Sequence, residues 1–282
     1  MQRTLSLVSL VPLVRRTLDT YSAVRGGQLA AALAYHALFS LAPLLVLAVA
    51  AAGSVFGEQA AAGGLQSELE AAIGKDTASL VVQMVASAEK TQGAAYGLGV
   101  VLAIYTGSNL FFHAEVGLRA VFGVANSAVS GWRGYLRRRG MAMMAALGPA
   151  LVLLVSLAAG GALSVVGRRM ENVGLGRMIG WGSQLVVWVL ATGMVALGYR
   201  YLTPARLPWR AIWRGSAFAA FGAGFATLSI VAYFELVAGR GAFAAVGGVA
   251  VVLFLGFLLA QLFLLGAALA RALSEDSVAR AV

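Results

Sequence analysis

Residues 245–270 read AVGGVAVVLFLGFLLAQLFLLGAALA, and no charged side chain interrupts them. A helix needs about 20 mostly apolar residues to cross a hydrocarbon core of about 30 Å. This stretch exceeds that length. Five more apolar stretches precede it, at roughly 28–52, 93–113, 141–163, 181–199 and 215–236, and none has a Lys or Arg in its middle. Lipid admits only helices or closed barrels, because every backbone polar group must be satisfied internally. Barrel strands are about 10 residues long and alternate strictly. These stretches are longer and do not alternate. The expected fold is all-α: a polytopic membrane protein of six transmembrane helices.

The composition agrees. The chain is 60% hydrophobic and 11% charged, with mean hydropathy +0.85. A soluble domain is nearer 25% charged. There is no cysteine, which excludes disulfides and thiolate metal sites. The net charge of +10 raises the question of nucleic acid. The arginines flank apolar stretches rather than gathering on one soluble face, so membrane lipids with anionic headgroups are the expected partners, and nucleic acid is not.

Residues 1–27 form the first of three segments. Arg15, Arg16 and Asp19 follow the apolar residues there, whereas a cleavable signal carries its positive charge first. Residues 4–24 therefore read as an amphipathic helix lying in the interface, with those three side chains toward headgroups. Residues 28–270 are the membrane domain, and 271–282 a tail. Alternation of the loops puts Arg3, Arg15, Arg16, Arg25, Arg119, Arg133, Arg137, Arg138, Arg139, Arg200, Arg206, Arg210, Arg214, Arg271 and Arg280 on one side. Lys75, Lys90, Arg168, Arg169, Arg177 and Arg240 fall on the other. The positive-inside rule makes the first side cytoplasmic, with both termini inside. The outer loop 53–92 is long enough to expect its own structure. Its apolar spacing around Gly74 suggests two short helices forming an extracytoplasmic lid.

Polar groups at membrane depth are costly, so their placement points to function or to helix contacts. The first stretch holds His36, Ser40 and Pro43. Proline lacks an N–H and clashes with the preceding turn, so a kink is expected near Phe39–Ser40. In the second, Tyr105, Asn109 and His113 share one helix face at four-residue spacing. Glu115 and Arg119 have the spacing of an ion pair. His113 is expected at the cytoplasmic end of its helix, and His36 about a third of the way into its own. The two histidines are the chain's full complement. Without a carboxylate cluster they make a weak metal site; structural hydrogen bonding is the plain reading, and a pH-sensitive gate lies between. Gln261 is an isolated amide in the sixth stretch, with interhelical bonding as its default role. Gly247, Gly248, Gly256 and Gly266 are read as packing positions. The cluster Trp132, Arg133, Tyr135, Arg137, Arg138 and Arg139 suits phospholipid headgroups, as do Arg206 and Arg210. No nucleotide-binding loop, HExxH or GxSxG occurs, so an enzyme is not expected and neither metal nor cofactor is implied.

The order of these segments resembles a known family. GGQLAAALAYHALFSLAPLLV at 26–46, LGVVLAIYTGSNLFFHAEVGLRAVFGV at 98–124, YRYLTPARLPWRAIWRGSAFAAFGAGF at 199–225 and GAFAAVGGVAVVLFLGFLLAQLFLLGAALARAL at 241–273 are similar to the YihY/BrkB family of bacterial inner-membrane proteins. That resemblance implies a six-span inner-membrane protein with a transport or export role. Family members often carry a glutamate where Ala268 stands here. The family has been labelled both ribonuclease and virulence factor; no carboxylate or histidine cluster in this chain could hold metal over RNA.

The functional expectation is a transporter, exporter or flippase of lipid or small-solute cargo. Its cavity would lie between the first, second, fourth and sixth spans, lined by His36, Ser40, Pro43, Tyr105, Asn109, His113, Glu115 and Gln261. The alternative is a membrane scaffold or assembly factor that binds partners, including other copies of itself, through the outer loop.

Overall fold

The computed structural model describes residues 7–40, 79, 83, 94–124, 132, 134, 140, 176–237 and 244–279. The described residues contain helices and no strands. The long helices are α1 (Leu7–Ala23), α2 (residues 26–40), α3 (Ala94–Phe122), α4 (Gly176–Tyr201), α5 (Trp209–Val237) and α6 (Ala244–Ala279). Pro43, the outer loop 53–92, the stretch 141–163 and the arginines Arg133, Arg137, Arg138 and Arg139 lie outside the described residues.

α6 is the axis on which α1, α3 and α5 pack. Its partner of closest approach is α5. An added Cβ on Gly215 would strike the Gly266 carbonyl oxygen, and one on Gly266 would lie 2.6 Å from the Gly215 carbonyl oxygen. Small residues that let two backbones touch are how helices associate where no hydrophobic effect separates them from lipid. Gly222 opposite Leu262, and Ile230 clustered with Leu255, continue the seam, so α5 and α6 are antiparallel. α3 runs parallel to α6, with Gly117 against Leu264 and Val121 beside Arg271. α2 and α3 are antiparallel: His36 meets His113 and Ser40 meets Thr106.

These pairings gather the starts of α2 and α5 with the ends of α3, α4 and α6. Arg25, Arg119, Arg200, Arg206, Arg210, Arg214 and Arg271 therefore share one end of the bundle. Loop alternation in the sequence groups the same arginines.

The helix ends are built at that end too. α3 stops at Gly123, whose φ of 67° puts it in the left-handed region that glycine tolerates. Val124 N–H donates to Arg119 O at 3.0 Å and Gly123 N–H to Ala120 O at 3.2 Å, the paired closing bonds of a Schellman turn. Arg271 then donates from Nη1 to the Val121 carbonyl at 2.8 Å, placing a cation at a helix C-terminus. Between α1 and α2, Arg25 itself takes the left-handed conformation at φ 52°.

Core and surface differ in kind. Ala30, Leu33, Leu118, Val121, Tyr199, Ile212, Leu264, Ala267 and Ala268 are buried together at the arginine end. The Tyr199 hydroxyl donates to the Phe263 carbonyl at 2.5 Å and ties α4 to α6. Outward, α5 exposes Phe218, Phe221, Phe225 and Leu228, and α4 exposes Val189 and Leu197. Large apolar side chains exposed along one helix suit contact with a membrane or another protein. Among the described residues one helix is long and apolar enough to cross a bilayer: Val252–Asp276, with mean hydropathy 2.5.

The described residues add three details to the sequence expectations. α3 runs on past the expected span end at His113 to Phe122 as one helix, with Glu115 paired to Arg119 inside it. At the arginine end, the described residues of α2, α3, α4 and α6 pack together in the core just described. Arg16 turns toward α6, where it pairs with Asp276, while Arg15 pairs with Asp19 on the exposed face of α1.

Candidate functional site

Polar residues of α2 and α3 meet where the two helices cross beside that core. On α3, Tyr105, Asn109 and His113 recur at four-residue spacing and so share a face. On α2, His36 and Ser40 do the same. The antiparallel crossing brings the two stripes together. The rings of His36 and His113 stack with centroids 3.5 Å apart and planes 8° apart. One turn on, Ser40 Oγ donates to the Thr106 carbonyl at 2.7 Å, and Ser40 is fully buried. Ser108 Oγ donates to the Tyr105 carbonyl within α3 at 2.8 Å.

Aromatic side chains frame the stack. Tyr35 lies edge-on to His36 and Phe112 edge-on to His113. Tyr35 also leans on Phe39 at 4.8 Å. Tyr35, Phe39 and Tyr105 are 55%, 60% and 48% exposed, so the aromatic side chains around the stack face out of the bundle rather than into it. The histidines and Asn109 are half-buried. His113 lies about 13 Å from the end of α3 by the helical rise of about 1.5 Å per residue. It shares the level of His36 and does not sit at a helix end.

The stack constrains its own charge. Two imidazolium ions at this separation repel by about 5 kcal/mol at an effective dielectric constant of about 20. An aromatic pair contributes roughly 0.5–1.5 kcal/mol. Protonation of both stacked rings at once is therefore disfavoured. Nor can it grip a metal ion between its rings, since ring-nitrogen lone pairs lie in the ring planes and stacked rings do not aim them at a common point. Among the described residues no group of three or more His, Asp or Glu converges elsewhere.

Glu115 is placed differently. Its carboxylate accepts from Arg119 Nε at 2.7 Å, and the two side chains are only 7% and 12% exposed. It stands among the core residues Ala114 and Leu118. Gln261 is half-buried on α6. Ala34 packs on Gly256, which puts Gln261 about 7 Å nearer the arginine end than that contact. Arg206 and Arg210 are exposed beside Trp209 and Trp213, and the Arg200 guanidinium lies over the Trp209 ring at 5.7 Å.

Sequence reasoning named Phe39 only as the place of a kink and did not single out Phe112, Gly215 or the Arg271 cap. Phe39 and Phe112 were legible as neighbours of the polar stripes. Gly215 was one of 35 glycines, and only the crossing geometry distinguishes it.

The family model described as virulence factor BrkB matches residues 17–282. The chain belongs to the BrkB virulence-factor family. No curated protein and no solved structure gives a match. BrkB membership, the α6 stretch and the apolar exterior together make this a membrane protein. Ala268, where the resemblance implies a glutamate in other members, is fully buried with Ala267 and Leu264 in the core. In this BrkB chain no carboxylate is supplied there, and the polar chemistry near the core is that of the α2–α3 crossing and the Glu115–Arg119 pair.

Proposed function

We propose that this protein is a six-span inner-membrane lipid translocator, with both termini cytoplasmic and the 53–92 segment as an outer lid. The observation that carries this reading is the crossing of the polar stripes of α2 and α3 beside exposed aromatic side chains. His36, His113, Asn109 and Ser40 lie there beside exposed Tyr35, Phe39 and Tyr105. A polar headgroup moving along such a crossing keeps its acyl chains in lipid, so no wide internal channel is required. The packed core supports this lateral route over a central one. The arginine end, with exposed Arg206 and Arg210 near Trp209 and Trp213, suits capture of anionic headgroups at the interface. Arg133, Arg137, Arg138 and Arg139 would add to that surface. The reading needs no catalytic chemistry and no cofactor.

The test is lipid scrambling in proteoliposomes, read by quenching of fluorescent phospholipids in the outer leaflet. Alanine at His36, Asn109 and His113 together should abolish the protein-dependent flux. Unchanged flux would retire the crossing as the route.

The tightly filled interior at the arginine end also supports a second reading, a scaffold that binds partners or its own copies through the outer loop. It predicts no flux from the wild-type chain with any lipid, and recovery of a defined complex that is lost when 53–92 is replaced.

A further inference from the structure

The outward face of α5 changes character along its length. Arg210, Arg214, Phe218, Phe221, Phe225 and Leu228 are all exposed, and their steps of four, four, three, four and three residues keep them on one side of the helix. Trp209 and Trp213 stand beside the two arginines, while Ala211, Ile212, Gly215 and Ser216 are buried on the opposite face. Lower on the stripe, Trp188 of α4 covers Gly224 and stacks on Phe221, with centroids 4.7 Å and planes 16° apart, which holds that ring in place. From Arg214 to Phe225 the helical rise gives about 16 Å, the depth of one leaflet of a core of about 30 Å.

The charge at the top of this stripe is not spent inside the protein. Asp19, Glu115, Glu275 and Asp276 are paired with Arg15, Arg119, Arg271 and Arg16. Arg200 donates to the Leu207 carbonyl at 3.4 Å and lies over Trp209. Arg206, Arg210 and Arg214 form no ion pair among the described residues. One phosphodiester cannot balance three such cations. Arg210 and Arg214 are one turn apart, with Cβ atoms about 6 Å from each other, so each guanidinium can fork onto a phosphate of its own. A soluble anion would leave the phenylalanines unused, and a second copy of the chain on this face would set arginines against arginines.

We propose that the α5 stripe seats a lipid whose headgroup joins two phosphodiesters. One phosphate rests on Arg210 and the other on Arg214, with Arg206 close by in the turn before α5, and the acyl chains lie along Phe218, Phe221, Phe225 and Leu228. No bond is made or broken. This rests on the membrane placement and the headgroup capture given under the proposed function, and it adds the class of lipid. Two linked phosphates gain because the second contact is already tethered by the first; a lipid with one phosphate has no such gain. The histidine crossing takes no part.

The full-length protein in micelles of neutral detergent is offered equal phosphate as diphosphatidylglycerol and as phosphatidylglycerol, and the retained lipid is read by native mass spectrometry. The expected result is a preference of at least about fivefold for the two-phosphate lipid. The joint change Arg210→Gln with Arg214→Gln should remove that preference, and Arg15→Gln, on the exposed face of α1, should leave it in place. Both stripe arginines are exposed, so the double variant should keep the wild-type far-ultraviolet circular dichroism and report on contact rather than on folding. A smaller preference in the wild-type chain would overturn the proposal, and so would a preference that survives the double change. Equal competition by the deacylated two-phosphate headgroup would also overturn it, because the ligand would then be a soluble phosphate that ignores the apolar stripe. Selective retention without scrambling would retire the translocator and keep the seat; scrambling without selective retention would do the reverse.

Discussion

Replacing Gly266 with alanine tests the crossing on which the bundle is built. The new Cβ would lie 2.6 Å from the Gly215 carbonyl oxygen, 2.7 Å from the Tyr199 hydroxyl and 2.8 Å from the Ala219 Cβ. Ordinary contacts to a Cβ begin near 3.4 Å, so α5 and α6 must separate by roughly 0.8 Å or Tyr199 must swing away. Overpacking of this kind costs typically 1–3 kcal/mol, marked here as about 2. If Tyr199 moves, its bond to the Phe263 carbonyl is lost as well, adding about 1 kcal/mol. The sum is about 3 kcal/mol. The assay is reversible unfolding in mixed micelles, read by tryptophan fluorescence. Gly193→Ala and Gly198→Ala are the internal controls, because an added Cβ at either meets nothing within 4 Å. They should be neutral or stabilising by up to about 1 kcal/mol, the helix-propensity gain of alanine. If Gly266→Ala unfolds within about 0.5 kcal/mol of these controls, the close-approach argument is wrong.

Three further outcomes follow from the described contacts. Glu115→Ala should destabilise by about 3–5 kcal/mol, since it leaves the Arg119 cation buried without its partner, while the joint change Glu115→Leu with Arg119→Met should recover most of that loss; equal losses in the single and double variants would argue against it. Arg25→Gly should stabilise by about 1 kcal/mol in the same assay by relieving the left-handed conformation of a side chain with a Cβ. Burial raises the Tyr21 hydroxyl above its ordinary range, and that hydroxyl has no hydrogen-bond partner among the described residues. The folded state then holds this proton more firmly than the unfolded chain, so stability is complete below about pH 10 and falls as pH rises beyond it. Tyr21→Phe should flatten that alkaline loss, and an unchanged pH profile would count against the assignment.

The helical architecture was legible because apolar run length is a strong signal. The 245–270 stretch had no charge to interrupt it, and α6 contains it whole. The grouping of arginines was legible for the same reason, since alternation of the loops needs only their order. The end of α3 was less so. Glu115 read as the i,i+4 partner of Arg119, and its burial against that guanidinium shows why a charged residue can stay inside a packed helix. Arg271 read as a marker of orientation, yet its guanidinium also closes α3 through the Val121 carbonyl. The stripe Tyr105–Asn109–His113 could be drawn from periodicity alone. Its encounter with His36 could not, because the register between α2 and α3 is set by packing between segments far apart in sequence.

The backbone contact between Gly215 and Gly266 has a mechanical consequence. Two rods whose backbones touch at one point tilt most readily about that point, like the blades of scissors about their rivet. From Gly266 to Leu253 the lever arm is about 20 Å at the helical rise. A rotation of about 10° therefore carries the far end by roughly 3.5 Å while the riveted end scarcely stirs, so any breathing of this pair is felt on the side away from the arginines.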